Sequence, residues 1–306
     1  MVIKIMIRVR VPATSANMGP GFDSLGVALN LYNEYSFSET LMGIEFEGIE
    51  EEFCNKDNII YKAMLKCFER GNYKIKGLKI SIIKQDVPIS RGLGSSSSCI
   101  VAGLIGANYI MGNILSNEEL LDIAVEIEGH PDNVAPALLG GVIVAIREGS
   151  RTIYDKVNVL KDLNFVAIIP DFKLSTEKAR SVLKENIELK DAVYNIGRAA
   201  LMVAALTNGS DDILKYACSD RIHEIYRGPL IKKFDIIKKE AYNNGALASF
   251  LSGAGPTIMT IVKRGSDFSN KIKEVLKREN LEFQVLELSI DNKGAIVIEG
   301  GNESER

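Results

Sequence analysis

Hydrophobic and polar positions alternate at the start of the chain. Apolar residues occupy every odd position from 3 to 11, and Lys4, Arg8 and Arg10 stand between them. A period of two is typical of a strand with one buried face. A signal peptide would instead show an unbroken apolar core and a small-residue cleavage site. We therefore expect a strand here and a cytoplasmic protein.

The rest of the first half mixes periods of two and of about 3.6. Strands are predicted at 35–48, 78–84 and 142–146, and helices at 57–69, 95–111, 117–128 and 134–137. The 95–111 segment is small and apolar on nearly every side, which indicates a helix buried all round. Ser116 and Glu119 have capping-box spacing. The segment 12–23, with two prolines and two glycines, is predicted to be a long loop.

The second half shows the same mixture. Strands are predicted at 164–169, 256–262, 284–288 and 295–299, and helices at 176–186, 190–207, 210–218, 229–243 and 266–279. No repeat, low-complexity tract or linker separates the halves. We expect an α+β protein with two closely joined lobes, residues 1–160 and 161–306.

Composition narrows the function. Lys and Arg number 37 and Asp and Glu 40 in 306 residues, a net charge of −3. This charge is too small and of the wrong sign for a protein that binds nucleic acid through its phosphates. The longest uncharged apolar stretches are about 13 residues, shorter than a membrane span. The four cysteines lack C-x-x-C spacing, so neither a disulfide framework nor a zinc site is indicated.

The strongest local signal is a glycine- and serine-rich segment, P-I-S-R-G-L-G-S-S-S-S at 88–98, between a predicted strand and the buried helix. Glycines let the backbone approach a ligand, and the helix N-terminus offers free N–H groups, so the segment suits phosphate. It lacks the lysine of a Walker motif. A helix-capping loop without a ligand is the alternative.

Two further segments contain glycines, 12–23 and S-G-A-G-P-T at 252–257. Each alone is typical of a plain turn. The three together favour a ligand site.

These segments carry a family resemblance. V-P-A-T-S-A-N-M-G-P-G-F-D-S-L-G (11–26), the 88–98 segment and S-G-A-G-P-T resemble, in order and spacing, the three motifs of the GHMP family of small-molecule kinases. The first motif and E-I-E-G-H-P-D-N-V-A-P-A (126–137) are similar to the branch that phosphorylates L-homoserine, a step of threonine biosynthesis. The resemblance implies a lobe like ribosomal protein S5 followed by a ferredoxin-like lobe.

The resemblance implies that ATP and Mg²⁺ are the cofactors. The residues that would bind the nucleotide are Pro88, Ile89, Ser90, Arg91, Gly92, Leu93, Gly94, Ser95, Ser96, Ser97 and Ser98. Asn58 would lie near the adenine, although a role at the start of a helix is the alternative. Ser96 and Glu126 would bind the metal. Glu128 is about 200° around a helix from Glu126, so only one of the two can face it.

For the substrate, the resemblance implies a wall of opposite charges. Arg180 and Arg227 would clamp the carboxylate bidentately, which lysine cannot do. Asp23 would take the ammonium, and the remaining wall would comprise Asn17, His130, Asn133 and Thr176. The catalytic residues would be Asn133, Glu126 and Thr176. Asn133 would lie beside the acceptor hydroxyl, with Asp132 as its rival.

Two other functions stay open at this point. One is a kinase of the same family for mevalonate, shikimate or a sugar, and the other is a catalytically silent nucleotide sensor. Phosphorylation of L-homoserine would distinguish the expected function from both alternatives, since only a substrate with an ammonium and a carboxylate needs Asp23 and both arginines. The resemblance also implies a homodimer, which no sequence feature demonstrates.

Overall fold

The computed structural model describes residues 5–302, which form two β-sheets covered by helices. This arrangement confirms the α+β class. The alternation in the first strand is also confirmed, because Ile7, Val9 and Val11 are fully buried whereas Arg8 and Arg10 are partly exposed. Residues 3 and 4 of that predicted strand lie outside the described residues.

The first sheet has seven strands in the described range. They are β1 (Ile5–Ala16), β2 (Leu25–Thr40), β3 (Gly43–Glu47), β4 (Gly77–Gln85), β5 (Val142–Glu148), β6 (Arg151–Val157) and β11 (Ile296–Asn302). The main order is β11-β1-β2-β4-β3. β5 pairs with the N-terminal end of β2 and with β6. Its helices are α1 (Ile59–Arg70), α2 (Ser95–Ile110), α3 (Asn117–Glu128) and α4 (Pro131–Leu139).

The buried helix predicted at 95–111 is α2. It contacts β1, α1, α3 and α4, and its buried residues occupy all sides of the helix. This surrounding fixes its N-terminus in place. The capping box at the start of α3 is present, with both reciprocal bonds between Ser116 and Glu119.

The second sheet contains β7 (Leu163–Ile169), β8 (Ala248–Leu251), β9 (Ile258–Lys263) and β10 (Gln284–Ser289) in the order β10-β7-β9-β8. Helices lie between β7 and β8 and between β9 and β10, which gives the split β-α-β order of a ferredoxin-like lobe. The helices are α5 (Thr176–Ser181), α6 (Leu189–Asn208), α7 (Asp211–Ala217), α8 (Glu224–Arg227), α9 (Phe234–Asn243) and α10 (Phe268–Arg278).

A shared hydrophobic core joins the two sheets. It combines Met18, Leu25 and Leu29 from the first lobe with Phe165 and Phe250 from the second, all at most 2% exposed. Burying each large apolar side chain of this kind contributes about 1.5–3 kcal/mol. The lobes are therefore one packed unit, and a cleft between them has rigid walls.

Several predicted elements need correction. The first strand does not end at Pro12 but continues to Ala16, because a register shift between Pro12 and Ala13 accommodates the proline. The helix predicted at 229–243 begins only at Phe234, after α8 and a 3₁₀ turn. β6, β8 and the first half of β2 were not predicted.

The division at residue 160 also needs correction at the far end of the chain. β11 lies within 161–306, yet it pairs with β1 in the first sheet. The first lobe is therefore built from two separate parts of the chain. In the described residues, no helix has the length and apolar character of a membrane span.

Candidate active site

A cavity of about 670 Å³ opens between the two lobes. The sequence-predicted site residues that line it are Asn17, Asn58, Ile89, Ser90, Arg91, Gly92, Gly94, Ser95, Ser96, Ser97, His130, Asn133, Thr176, Arg180 and Arg227. Ser96, Asn133 and Arg180 come from distant parts of the chain, and all three open onto this one cavity. Pro88, Leu93, Ser98, Asp23 and Glu126 are not part of its lining.

Residues 88–94, here named the phosphate loop, direct their carbonyl groups away from the cavity. The four carbonyls from Ser90 to Leu93 each accept a hydrogen bond at 2.5–3.2 Å from elsewhere in the fold, in order from Leu174, Thr257, Ser252 and Thr14. The N–H groups of the same four residues donate no hydrogen bond within the described part of the chain, so they remain available to a ligand. Successive N–H groups of this kind form an anion-binding concavity.

The loop leads directly into the N-terminus of α2. Its N-cap is Gly94 in the left-handed conformation (φ 71°), and no side chain caps the helix. The first N–H groups of a helix lack intrahelical acceptors and carry partial positive charge, so they add to the same concavity. A Cβ at Gly94 would lie 1.9 Å from Thr14 Oγ1, and one at Gly92 would lie 2.3 Å from the Ser252 carbonyl. Only glycine fits at both positions.

The third glycine segment, 252–257, is hydrogen-bonded to the phosphate loop and to β1. Ser15 and Ser252 hydroxyls are 2.7 Å apart, and Ser252 donates to the Gly92 carbonyl at 2.5 Å. Gly253 N–H donates to the Ala16 carbonyl. The three motifs therefore meet at one point, as the sequence predicts.

Parts of the phosphate-loop prediction need correction. Leu93 is buried in the core between the lobes, and the Ser98 hydroxyl points into the interior, where it donates to the Ser95 carbonyl. Neither side chain faces the cavity. Arg91 lines it, but its guanidinium donates to the carbonyls of Ile89, Pro170 and Asp171 and so ties the loop to the second lobe.

Asn58 caps a helix, which is the alternative considered for it, and its proximity to the adenine stays a prediction. Its Oδ1 accepts hydrogen bonds from the N–H groups of Ile60 and Tyr61 and so caps α1. The residue also lines the cavity.

The choice between the two glutamates is reversed by the structure. Glu126 lies on the outer face of α3, where it forms an ion pair with Lys66. Glu128 lines the cavity, and its Oε1 accepts a hydrogen bond from Ser97 Oγ at 2.9 Å. Burial raises the pKa of Glu128, although His130 and Ser97 partly offset this effect. The carboxylate at the phosphate loop is therefore that of Glu128.

Arg180 lines the cavity and forms a bidentate ion pair with Asp23, which lies behind the lining, with N–O distances of 2.9 and 3.3 Å. Asp23 adopts a left-handed conformation (φ 53°), and Asn17 Oδ1 accepts its N–H at 2.8 Å. Aspartate and asparagine tolerate this conformation better than other non-glycine residues. The Asn17 side chain thus shapes the loop that presents Asp23.

Arg227 is 1% exposed, and its guanidinium donates to the carbonyls of Ala179 and Gly253. Burial, followed by the nearby charge of Arg180, lowers its pKa to about 10. Phe22, which sequence reasoning did not single out, lies within 6 Å of both guanidinium groups, at 5.9 and 5.3 Å. The signal that could have found Phe22 is its place as an aromatic residue next to Asp23 in the first motif.

His130 and Asp132 form a hydrogen-bonded pair through His130 Nδ1. Burial disfavours the charged imidazole, but the bond and charge of Asp132 outweigh it, so the pKa of His130 is raised. Asp132 is 1% exposed and points away from the cavity lining. Asn133 lines the cavity instead, and its Oδ1 accepts from Thr14 Oγ1 at 2.8 Å. Thr14 was also missed, although it lies in the first motif.

An anion-binding loop at the head of a buried helix, a carboxylate beside it and a wall of opposite charges in the same cavity define a phosphotransferase of small molecules. Residues 58–141 match the GHMP kinases N terminal domain, and residues 191–280 match GHMP kinases C terminal. The chain belongs to the GHMP kinase family.

Named relatives cover nearly the whole chain. Homoserine kinase of Clostridium beijerinckii is 61% identical over 96% of this chain and 99% of its own. The crystal structure of homoserine kinase from Cytophaga hutchinsonii superimposes with a TM-score of 0.86 at 29% identity, covering 96% of this chain and 97% of that one. Mevalonate kinase of L. major has a TM-score of 0.70 at 18% identity over 92% and 95% of the two chains, and so shares the fold.

Proposed function

We propose that this enzyme transfers the γ-phosphoryl group of ATP to the side-chain hydroxyl of L-homoserine. The observation that carries the proposal is the Asp23–Arg180 pair, whose arginine lines the same cavity as the phosphate loop. A shared fold does not separate substrates within the family. A site with one acidic and one basic group side by side suits a zwitterion.

The substrate's two charges match this pair. Its carboxylate would be held by the planar forks of Arg180 and Arg227, and its ammonium by Asp23. The ligand atoms of Asp23, His130 and Asp132 lie within 4.8 Å of one another, so a second carboxylate stands near the position expected for the ammonium. On binding, the amino acid would break the Asp23–Arg180 ion pair. Its ammonium would then pair with Asp23 and its carboxylate with Arg180. Molecules without both charged groups would leave one member unpaired, which is costly.

The nucleotide phosphates would be held by the N–H groups of the phosphate loop and of the start of α2. Glu128 places a carboxylate at the same position, and two anions need a cation between them. Mg²⁺ prefers hard oxygen ligands, so the Glu128 carboxylate and the Ser96 hydroxyl fit it. When bound, the metal would neutralise charge on the transferring phosphoryl group.

Asn133 would orient the acceptor hydroxyl. Because its Oδ1 is used by Thr14, its Nδ2 is left to donate to the substrate oxygen. An amide cannot remove the proton. Phosphoryl transfer tolerates this because its transition state is largely dissociative and positioning does most of the catalysis.

Asn133→Ala is expected to lower kcat by about 10- to 100-fold, the usual effect of misplacing a nucleophile. ATP affinity should stay within about twofold. Steady-state kinetics and ATP binding by calorimetry measure the two quantities. An equal loss of ATP binding would assign Asn133 a structural role instead.

The proposal is tested by an ADP-release assay over a panel of hydroxylated acceptors with ATP and Mg²⁺. L-Homoserine should be the preferred acceptor, with a phosphorylated product detectable by mass spectrometry. Preference for mevalonate, shikimate or a sugar would assign another member of the family. ATP binding without acceptor-dependent ADP release would indicate a nucleotide sensor.

We also propose that the active form is a homodimer. One face of α6 leaves Leu189, Val193 and Ile196 between 60% and 80% exposed, at helical spacing. An apolar stripe met by its own copy about a two-fold axis makes a closed contact. Light scattering should give about twice the mass of the 33.6 kDa chain, and a single-chain mass contradicts the proposal.

A further inference from the structure

Asn33 lies on β2, outside the three motifs, and its side chain is 1% exposed. Its Oδ1 accepts the N–H of Val87 at 2.9 Å. Its Nδ2 donates to Tyr35 Oη at 3.1 Å and to Ser98 Oγ at 3.2 Å. Val87 immediately precedes the phosphate loop, and Ser98 lies in the first turn of α2. One side chain therefore touches both ends of the phosphate-binding segment.

The proton of every hydroxyl in this network can be assigned. Ser98 Oγ donates to the Ser95 carbonyl at 2.9 Å, so it must accept from both Asn33 and Tyr35. The Tyr35 hydroxyl, 2.7 Å from Ser98 Oγ, is then the donor of that bond. Burial raises the pKa of Tyr35 well above its ordinary value, which keeps this hydroxyl protonated. A serine hydroxyl has one donor and two acceptor sites, and all three are used.

The network also fixes the orientation of the Asn33 amide. Only its oxygen can accept from the Val87 N–H, so both Nδ2 hydrogens are directed to hydroxyl groups. Asn33 and Tyr35 border the nucleotide part of the cavity, but their donors are committed to protein partners. Any effect of Asn33 on the nucleotide therefore acts through the loop rather than by direct contact.

We infer that Asn33, with Tyr35 and Ser98, is a positioning residue that holds the N–H groups of the phosphate loop and of the start of α2 in register for the nucleotide phosphates. The inference rests on the proposed nucleotide site. Amide donors only bind an anion together if their spacing is fixed, and loop closure alone leaves a glycine-rich segment free to vary. The bonds to the Ser90–Leu93 carbonyls hold the middle of the loop, and the network adds a constraint at both ends of the phosphate-binding segment.

The test compares Asn33→Leu with a matched control in the same lobe. Asn108 is a second buried asparagine, near the opposite end of α2, and its amide bonds both the N–H and the carbonyl of Leu115. Both variants remove buried hydrogen bonds and should lower the melting temperature. Only Asn33→Leu should weaken ATP binding, by about tenfold. Loss of the network is expected to reduce the binding free energy by about as much as loss of one hydrogen bond.

Tyr35→Phe is a milder variant that keeps the packing and removes only the hydroxyl. It should weaken ATP binding about two- to fivefold, with the KM for the acceptor unchanged. ATP affinity equal to wild type in Tyr35→Phe, or equal losses in the Asn33 and Asn108 variants, would overturn the inference. Failure of the wild-type protein to bind ATP would instead refute the proposed nucleotide site. Calorimetric titration with ATP and Mg²⁺ gives the affinities, steady-state kinetics gives the KM for the acceptor, and thermal unfolding gives the melting temperatures.

Discussion

Glu128→Gln is expected to lower kcat/KM roughly 10²- to 10³-fold, the effect of removing one preorganised electrostatic group from an active site. The substitution keeps size and the acceptor for Ser97 but removes the negative charge at the phosphate loop. If Glu128 holds the magnesium ion, the variant should also need a much higher Mg²⁺ concentration for half-maximal activity. Initial rates over a Mg²⁺ series measure both effects.

Glu126→Gln is the matched control, since it makes the same change two residues away on the same helix. Glu126 pairs with Lys66 at the surface, so activity and Mg²⁺ dependence should stay within about twofold of wild type, as for most surface ion pairs. The reverse result, with loss of activity in Glu126→Gln and retention in Glu128→Gln, would return the metal to the glutamate favoured by sequence alone.

Asp23→Asn is expected to raise the KM for L-homoserine roughly 10- to 100-fold, the usual effect of losing a charged hydrogen bond. It removes the partner of the ammonium and also frees Arg180, which is paired with Asp23 in this structure. ATP affinity should not change, because the phosphate loop does not contact Asp23.

Arg180→Gln and the double variant complete a cycle that isolates the coupling between the two charges. Because each single variant leaves the other charge unpaired, the double loss should be smaller than the product of the single losses. Asp162→Asn serves as a control, since it breaks an exposed ion pair with Arg264. Independent, multiplicative losses for Asp23 and Arg180 would show that they do not act on one zwitterion.

Local patterns predicted much of the fold. The structure contains three features that short-range signals predicted. They are the alternation in β1, the apolar residues on all sides of α2 and the capping box of α3. The same kind of signal could have placed Glu128 on the inner face of α3. Leu121, Ala124 and Val125 are buried, and Glu128 follows them at helical spacing. Motif alignment outweighed that phase argument and favoured Glu126, which lies outside the cavity lining.

Long-range features were out of reach. The pairing of β11 with β1 joins residues nearly 300 positions apart, and no local period encodes it. The Asp23–Arg180 pair spans 157 positions. Asn33 gave no sequence signal, since a single asparagine does not reveal that its side chain bonds both Val87 and Ser98. Such contacts depend on how elements pack, which a single sequence does not state.

The return of β11 to the first sheet bears on how the protein folds during synthesis. β1 is synthesised nearly 300 residues before its edge partner β11. Until β11 is made, one side of β1 has no strand to pair with, and an open edge is a template for association with other chains. Nascent chains that lack β11 should therefore be more prone to aggregate, and pairing of β11 with β1 removes that hazard.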